Sequence, residues 1–424
     1  MTNTPHHTEA TPVDRQDTVL AAPTPLAERS LAPDLARGMM LLLIALAHVP
    51  YFLYTAPTGA GGLHPIEGNV ADRIAQAFTI VVVDARVWTM FGFLFAYGIG
   101  QMYARQVSRG TSVVTARRLL RRRHLWMIVF GALHAVLLWQ GDIIGSYGLI
   151  GLIMVPLFLG RTDRTLKIWL GVLLALAAAV VALGVLVSMV LTAQPELIPA
   201  DAQRLSIAEP NYWISALERI PAWITVLTGS LIGLALPAAF LMGILAARHR
   251  ILDEPARHLV LLRRLAIGGI SIGWTTGVIF ALQHTGIVSI APDSAMLNIN
   301  FFTGIFTGVG YAALFGLVAH RLSGRAAVHS RPVRWISALG RRSMSGYLAQ
   351  SVAWGPVLAA WGLGLGAHLS SWSMVLYAVL VWTTTVALAA AMERRGLRGP
   401  AEVALRSLTY GGTRTVPGNK TAVE

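Results

Sequence analysis

A histidine and an aspartate lie close together in a strongly apolar part of the chain, in the stretch LHAVLLWQGDIIGSYGLI from residue 133 to residue 150. Histidine can act as a general base, and a carboxylate beside the imidazole fixes its orientation and tautomer. His134 and Asp142 have the side chains that this chemistry needs. Ionisable groups in apolar surroundings are costly, and they often mark functional sites inside helix bundles.

Three further ionisable groups are expected at the same depth. His48 lies eleven residues after Arg37, which is about 16 Å along a helix. Asp84 and Arg86 lie about 20 residues before the basic end of their own apolar segment. The alternative is that such groups are helix-packing pairs, for example Asp84 with a neighbouring arginine. The common depth favours one site with five members: His48, Asp84, Arg86, His134 and Asp142.

The elements that must position these groups are membrane-spanning helices. The chain has 424 residues, of which 55% are hydrophobic and 13% charged, and its mean hydropathy is +0.60. A soluble domain of this size needs more charge to cover its surface. We therefore predict an all-α polytopic membrane protein with about ten transmembrane helices, and the predicted crossings are 38–56, 85–104, 119–139, 143–160, 166–193, 222–247, 262–284, 299–320, 343–363 and 372–392.

Positive charge alternates from loop to loop. The loops around 105–123, 161–167, 248–264 and 321–342 are rich in arginine, whereas the loops between them are poor in basic residues. This pattern obeys the positive-inside rule and predicts that both termini are cytoplasmic. The predicted organisation is a disordered cytoplasmic tail at 1–30, one transmembrane domain at 31–410 and a flexible cytoplasmic tail at 411–424.

The net charge of +14 comes from basic loops that would face anionic lipid at the inner leaflet. This explains the charge, so no nucleic-acid partner is expected. The chain has no cysteine, which excludes disulfides, thiolate metal sites and a cysteine nucleophile. No zinc-ligand spacing, phosphate-binding loop or nucleophile elbow is present, so no metal is expected.

Two segments do not fit a pattern of one straight helix per crossing. The stretch AFTIVVVDARVWTMFGFLFAYGIGQMYARQ is too long for one straight crossing, so residues 73–83 are predicted to form a separate interfacial or re-entrant helix. In the outer loop 194–221, the stretch NYWISALERI is either a short amphipathic helix on the membrane surface or a plain connector.

Five stretches resemble one family, the YeiB-type bacterial membrane proteins, whose C-terminal half (about 230–412 here) is called domain of unknown function 418. The stretches are APDLARGMMLLLIALAH, DARVWTMFGFLFAYGIGQ, GALHAVLLWQGDIIGSYGLIGL, GRRSMSGYLAQS and GPAEVALRSLTYG. In the third, His134, Asp142 and Tyr147 fall on matching family positions. The chain departs at Gly346, where the family has asparagine, and at His48, a position that is often asparagine.

The family in turn resembles transmembrane acyltransferases, including heparan-α-glucosaminide N-acetyltransferase and the O-acetylating acyltransferase-3 proteins. The latter have a histidine eleven residues after an Arg-Gly pair, as Arg37 and His48 do here. The resemblance implies a transmembrane-acyltransferase-like bundle in the bacterial plasma membrane. It also implies acyl-CoA as co-substrate, held in part by Arg37.

Three functions are compatible with these observations. An acyltransferase would use His48 or His134 as base, with Asp142 or Asp84 orienting the ring, and with Asp84, Arg86 and Tyr147 binding substrate. A transporter would use the same groups to bind a small molecule or relay protons. A non-catalytic scaffold or sensor would use them for stability alone. The expected partners are membrane lipid, an envelope glycan or small-molecule acceptor, and a second copy of the chain in a homodimer.

Overall fold

The computed structural model describes residues 30–58, 63–190, 203–323 and 330–411, and these residues form α-helices and no β-strand, which confirms the all-α class. Of the two predicted tails, only Ser30 and Gly411 are among the described residues. The helices are α1 Leu31–Phe52, α2 Val70–Val82, α3 Val87–Ser108, α4 Val113–Leu137, α5 Ile143–Phe158, α6 Asp163–Val190, α7 Leu205–Ala208, α8 Tyr212–Ile232, α9 Ala235–Arg248, α10 Leu259–His284, α11 Asp293–Leu322, α12 Arg331–Arg341, α13 Ser343–Leu358, α14 Ser371–Arg394 and α15 Pro400–Tyr410.

Each predicted crossing falls on a helix. Among the described residues, six helical spans are long and apolar enough to cross a membrane, or seven if the bent pair α8 and α9 counts as one. The other three predicted crossings are α4, whose first half is rich in arginine, and α5 and α13, which have 16 residues each. Sixteen residues make a helix of about 24 Å, shorter than a typical hydrocarbon core. The total of about ten crossings and the side of the termini therefore stay predictions.

The predicted break before α3 is confirmed. A capping box formed by Asn69 and Asp72 begins α2, and the helix ends at Val82. The turn that follows contains Ala85 with a φ of 62°, a left-handed conformation that interrupts a helix. Asp84 and Arg86 therefore lie in a turn between two helices.

The stretch NYWISALERI is not a separate surface helix, because it forms the first part of the 21-residue helix α8. Its neighbour Arg204 is buried and ties this region to the end of α1. The Arg204 guanidinium donates to the carbonyls of Pro50 at 2.7 Å and Ala56 at 2.8 Å. The described part of this loop, from residue 203, is thus tied to the bundle by hydrogen bonds to backbone carbonyls that hydropathy does not reveal.

Helix α1 is central to the bundle and packs against α3, α11, α12, α13 and α14. Small residues permit the closest of these approaches, as is common in membrane helices. A Cβ atom added at Gly340 on α12 would collide with the carbonyl of Asp34 on α1. This close approach fixes the basic end of α1 beside the junction of α12 and α13.

The C-terminal helix α15 is clamped onto the start of α13 by Glu402. The Glu402 carboxylate accepts hydrogen bonds from the backbone amides of Met344 at 2.8 Å and Ser345 at 3.2 Å, and from the Ser345 hydroxyl at 2.5 Å. The first amides of a helix lack intrahelical partners, so a carboxylate there stabilises the helix. This contact joins the two C-terminal stretches, GRRSMSGYLAQS and GPAEVALRSLTYG.

We expect Glu402→Ala to lower the free energy of unfolding by about 1.5–3 kcal/mol, because it leaves these donors without their charged acceptor. The measurement is thermal unfolding of the purified protein in detergent. Glu254→Ala is the matched control, because Glu254 pairs only with the exposed arginines Arg250 and Arg257 and such pairs contribute about 0–1 kcal/mol. Equal losses in both variants would contradict the clamp.

Candidate functional site

The turn between α4 and α5 brings His134 and Asp142 into direct contact. His134 Nδ1 lies 2.9 Å from Asp142 Oδ1, and both side chains are almost completely buried. A carboxylate only accepts hydrogen bonds, so Nδ1 is the donor, and in the neutral ring Nε2 then carries the lone pair. His134 Nε2 is buried and has no hydrogen-bond partner in the described part of the chain. This pair, called the His–Asp dyad below, has the arrangement of a general base with an orienting carboxylate.

Asp142 is also the N-cap of α5. Its carboxylate accepts from the amides of Ile144 at 3.2 Å and Gly145 at 2.6 Å, and the Trp223 indole lies 3.4 Å away. Aspartate is a favoured N-cap because it satisfies amides that have no intrahelical acceptor. The same side chain thus starts α5 and holds the His134 ring.

Gly131 makes room for the dyad on the facing turn of α4. A Cβ atom at this position would collide with Asp142 Oδ2 and with the Gly145 amide. We expect Gly131→Ala to destabilise the protein by about 1–3 kcal/mol, the typical cost of overpacking. The measurement is thermal unfolding in detergent.

Gly171→Ala is the control for that prediction, because Gly171 lies in α6 and no atom is within 4 Å of the position that a Cβ atom would take there. Alanine at this position should leave stability unchanged or raise it slightly. A Gly131→Ala protein as stable as the Gly171→Ala protein would show that α4 and α5 leave room for a methyl group beside Asp142, which would contradict the close packing.

His48 lies next to the dyad in an aromatic environment. Its ring is edge-on to Trp139 at 5.6 Å and to Trp354 at 5.9 Å between centroids. It is also near enough to His134 to interact with it electrostatically. The indole nitrogens of both tryptophans are buried without a partner among the described residues. Buried polar atoms are normally hydrogen-bonded, so this region has unused capacity to bind a polar group.

Asp84 and Arg86 do not join this cluster. The Asp84 carboxylate contacts His64 Nε2 at 2.6 Å, and the His64 ring is 5.9 Å from that of His284. The Arg86 guanidinium donates to the carbonyls of Asp84 and of Gly273, the latter at 2.6 Å, and the side chain is fully buried. The five groups at one depth thus divide between two places in the bundle. Arg86 links the turn after α2 to the backbone of α10.

A cavity of about 260 Å³ lies close to the dyad, and its lining includes Ile143 and Ile144, the two residues that follow Asp142. The described residues contribute to its lining four arginines, Arg37, Arg105, Arg123 and Arg341, and two carboxylates, Asp34 and Glu402. Its deep end is formed by the buried residues Ile144, Tyr147 and Tyr347. The cavity therefore runs from a basic mouth to an aromatic and aliphatic interior.

Only one side-chain layer separates the deep end from the dyad. Ile143 and Ile144, which follow Asp142 in the chain, line the cavity. The Tyr347 ring also lines it and lies 5.1 Å from the His134 ring between centroids. The Tyr347 hydroxyl donates to the Gly141 carbonyl at 3.3 Å. Tyr347 was not among the predicted site residues, although it belongs to the GRRSMSGYLAQS stretch.

The remaining predicted residues lie on this cavity. Arg37 is at the mouth, where its guanidinium contacts Asp34 at 3.5 Å and the Leu94 carbonyl at 3.4 Å. Tyr147 is at the deep end, and its hydroxyl donates to the Trp88 carbonyl at 3.0 Å. The described residues contain no group of three or more metal-ligating side chains.

The comparisons with known proteins agree with the resemblance seen in the sequence. Residues 246–412 match the model of a family described as protein of unknown function (DUF418). The chain is 27% identical over 408 residues to YxaH of Bacillus subtilis, covering 92% of this chain and 96% of YxaH. It is 25% identical over 400 residues to YeiB of Escherichia coli, covering 90% and 96%. Both relatives are described as uncharacterized proteins.

Proposed function

The chain belongs to the YeiB-type DUF418 family, and from this premise we propose that it is a membrane-embedded acyltransferase. It would move an acyl group from acyl-CoA to a hydroxyl or amine of an extracytoplasmic acceptor. The observation that carries the proposal is the His–Asp dyad, whose Nε2 has no partner among the described residues and whose ring packs against Tyr347, a lining residue of the arginine-lined cavity. A base with an orienting carboxylate at the end of a basic channel suits acyl transfer from a phosphorylated donor.

The proposed orientation places the basic mouth of the cavity in the cytoplasm. The protein would lie in the bacterial plasma membrane with about ten crossings and both termini inside. Arg37 on α1, Arg105 on α3 and Arg341 on α12 lie at this mouth, and the positive-inside rule assigns such a concentration to the cytoplasmic side. Guanidinium groups bind phosphate oxygens through charge-assisted hydrogen bonds, so they would hold the phosphates of CoA.

The dyad would then act as base and acid in turn. His134 Nε2 removes the proton from the acceptor hydroxyl as its oxygen attacks the thioester carbonyl carbon. The carbon–sulfur bond breaks when the tetrahedral intermediate collapses, and the sulfur leaves as CoA thiolate, which takes the proton from the imidazolium. Asp142 holds the ring through Nδ1 and stabilises the positive charge that forms on it.

The acceptor would approach from the side of His48. The rings of His48, Trp139 and Trp354 form an aromatic wall next to His134, and the two indole N–H groups lack partners among the described residues. Indole rings with free donors suit a hydroxyl-bearing molecule, such as an envelope glycan or a small alcohol. We assign no substrate contact to Arg86, whose guanidinium is already bound to backbone carbonyls.

The transporter and scaffold hypotheses are less well supported. Many transporters place substrate at pairs of broken helices related by an internal repeat. The described residues contain two interrupted segments, α2–α3 and α8–α9, and the sequence shows no internal repeat that relates them. A scaffold gives no reason for a buried histidine nitrogen without a partner beside a cavity. Neither hypothesis uses the dyad and the arginine-lined cavity together.

The test is release of free CoA by the purified protein in nanodiscs, supplied with acetyl-CoA and a pool of envelope glycans. We expect release that requires the glycans, and we expect Arg123→Gln to raise the KM for acetyl-CoA about tenfold through loss of one charged contact. Arg118→Gln is the control, because Arg118 is an exposed neighbour on α4 outside the cavity lining. A KM that changes equally in both variants, or release without any need for protein, would contradict the proposal.

A further inference from the structure

A second cavity, of about 240 Å³, lies at the surface between the start of α4 and the end of α5. It is separate from the arginine-lined cavity and shares none of its lining residues. Its walls are Arg117, Pro156, Leu157, Gly160 and Arg161. Two of its five lining residues are therefore cations, and the others are small or apolar.

The two guanidinium groups are positioned by the surrounding helices. Arg117 Nε is buried and has no hydrogen-bond partner in the described part of the chain. A Cβ atom at Gly160 would collide with Arg117 Nη2, so the absence of a side chain there admits the guanidinium. Arg161 Nε donates to the Leu157 carbonyl at 3.3 Å, which holds the second guanidinium at the same groove.

No carboxylate of the described residues neutralises this pair of cations, because none lies within ion-pairing distance of Arg117 or Arg161. The carboxylate nearest in sequence, Asp163, is already bound by Arg248 at 2.6 Å and by His249 at 2.9 Å. Two fixed guanidinium groups without a counter-charge favour an anion, and their planar forks suit phosphate oxygens.

The rest of the groove wall is apolar. Pro156 and Leu157 both line the groove and are exposed, and Leu157 is 51% exposed. A ligand that fills the groove against this wall has an anionic head and an apolar tail.

We propose that this groove is a specific binding site for the phosphodiester headgroup of an anionic phospholipid, with an acyl chain against Pro156 and Leu157. Basic pockets between transmembrane helices on the cytoplasmic side are suited to anionic headgroups, to which each nearby arginine contributes about fivefold in affinity. The proposal does not depend on the acyltransferase activity, because neither arginine lines the cavity that approaches the dyad.

The test is native mass spectrometry of the purified full-length protein, titrated in detergent with phosphatidylglycerol or with phosphatidylcholine of the same acyl chains. We expect phosphatidylglycerol to bind the wild-type protein more tightly. We expect Arg117→Gln and Arg161→Gln each to weaken that binding at least about fivefold. Arg118→Gln should not weaken it, because Arg118 is exposed on the same helix but does not line the groove.

Three outcomes would overturn the proposal. They are equal affinity for the two lipids, an equal loss in Arg118→Gln, and displacement of the lipid by millimolar inorganic phosphate, which would identify a site for free anions. Thermal unfolding in lipid-free detergent shows whether each variant is folded. If Arg117→Gln fails to fold, Arg117→Lys and Arg161→Gln carry the test, and normal lipid binding in both would equally overturn the site.

Discussion

Replacing His134 with glutamine should lower acceptor-dependent CoA release by about 10²–10⁴-fold, the range that a general base contributes. The glutamine amide can still donate to Asp142 Oδ1, which His134 contacts at 2.9 Å, so the buried carboxylate keeps a partner. It has no basic nitrogen at the position of Nε2. The loss should therefore appear in kcat, with the melting temperature close to that of the wild-type protein.

His320→Gln is the matched control for this prediction. His320 lies in the last turn of α11 and lines neither cavity, so its substitution should leave CoA release unchanged. A folded His134→Gln protein with wild-type turnover would exclude His134 as the base. His48→Gln would then be the next variant to measure, because His48 is the histidine packed against Trp139 beside the dyad.

Replacing Asp142 with alanine should have the largest effect on stability, about 1.5–5 kcal/mol. It removes the N-cap of α5, which contributes about 0.5–2 kcal/mol. It also leaves the Nδ1 donor of His134 buried without its charged acceptor, which costs about 1–3 kcal/mol. The measurement is unfolding of the purified protein in detergent, followed by temperature or denaturant.

Asp142→Asn separates the two roles of this residue. Asparagine is also a good N-cap, and its oxygen can accept from Nδ1 and from the Ile144 amide, but its NH2 group replaces the oxygen that accepts from the Gly145 amide. The stability loss should therefore be smaller than that of the alanine variant but measurable. The lost negative charge weakens stabilisation of the imidazolium, and turnover should fall by at least about tenfold. An alanine variant as stable as the asparagine variant would contradict the role of Asp142 in starting α5.

The sequence predicted that His134 and Asp142 flank a short turn, because an apolar helix ends near Trp139 and another begins after Gly141. It left open which carboxylate orients which histidine, so the direct contact between His134 and Asp142 is a finding of the structure. The break before Asp84 was predictable because segment length exceeds the width of a bilayer. Local pattern and hydropathy therefore predicted the elements, but not the pairing within the site.

The rest of the site depends on which helices are neighbours in the bundle. The expected depth of a residue in the membrane does not specify those neighbours. Asp84 was expected at the depth of His134 but contacts His64, which comes from a loop without a periodic pattern. The cavity draws Arg37, Arg105 and Arg341 from three distant segments. The positive-inside rule alone explains why each of these arginines is present in the sequence. Only the three-dimensional structure shows that they line one cavity.

The most direct test of the central claim is the transfer of radiolabelled acetyl groups from acetyl-CoA to an acceptor across the membrane of proteoliposomes. The label is supplied as acetyl-CoA on one side of the membrane, and a membrane-impermeant glycan acceptor is supplied on the other. The acyltransferase account predicts labelled acceptor only when acetyl-CoA is on the side of the arginine-lined mouth, and none with His134→Gln. Label that stays on CoA under both arrangements, or that reaches the acceptor equally with His134→Gln, would contradict it.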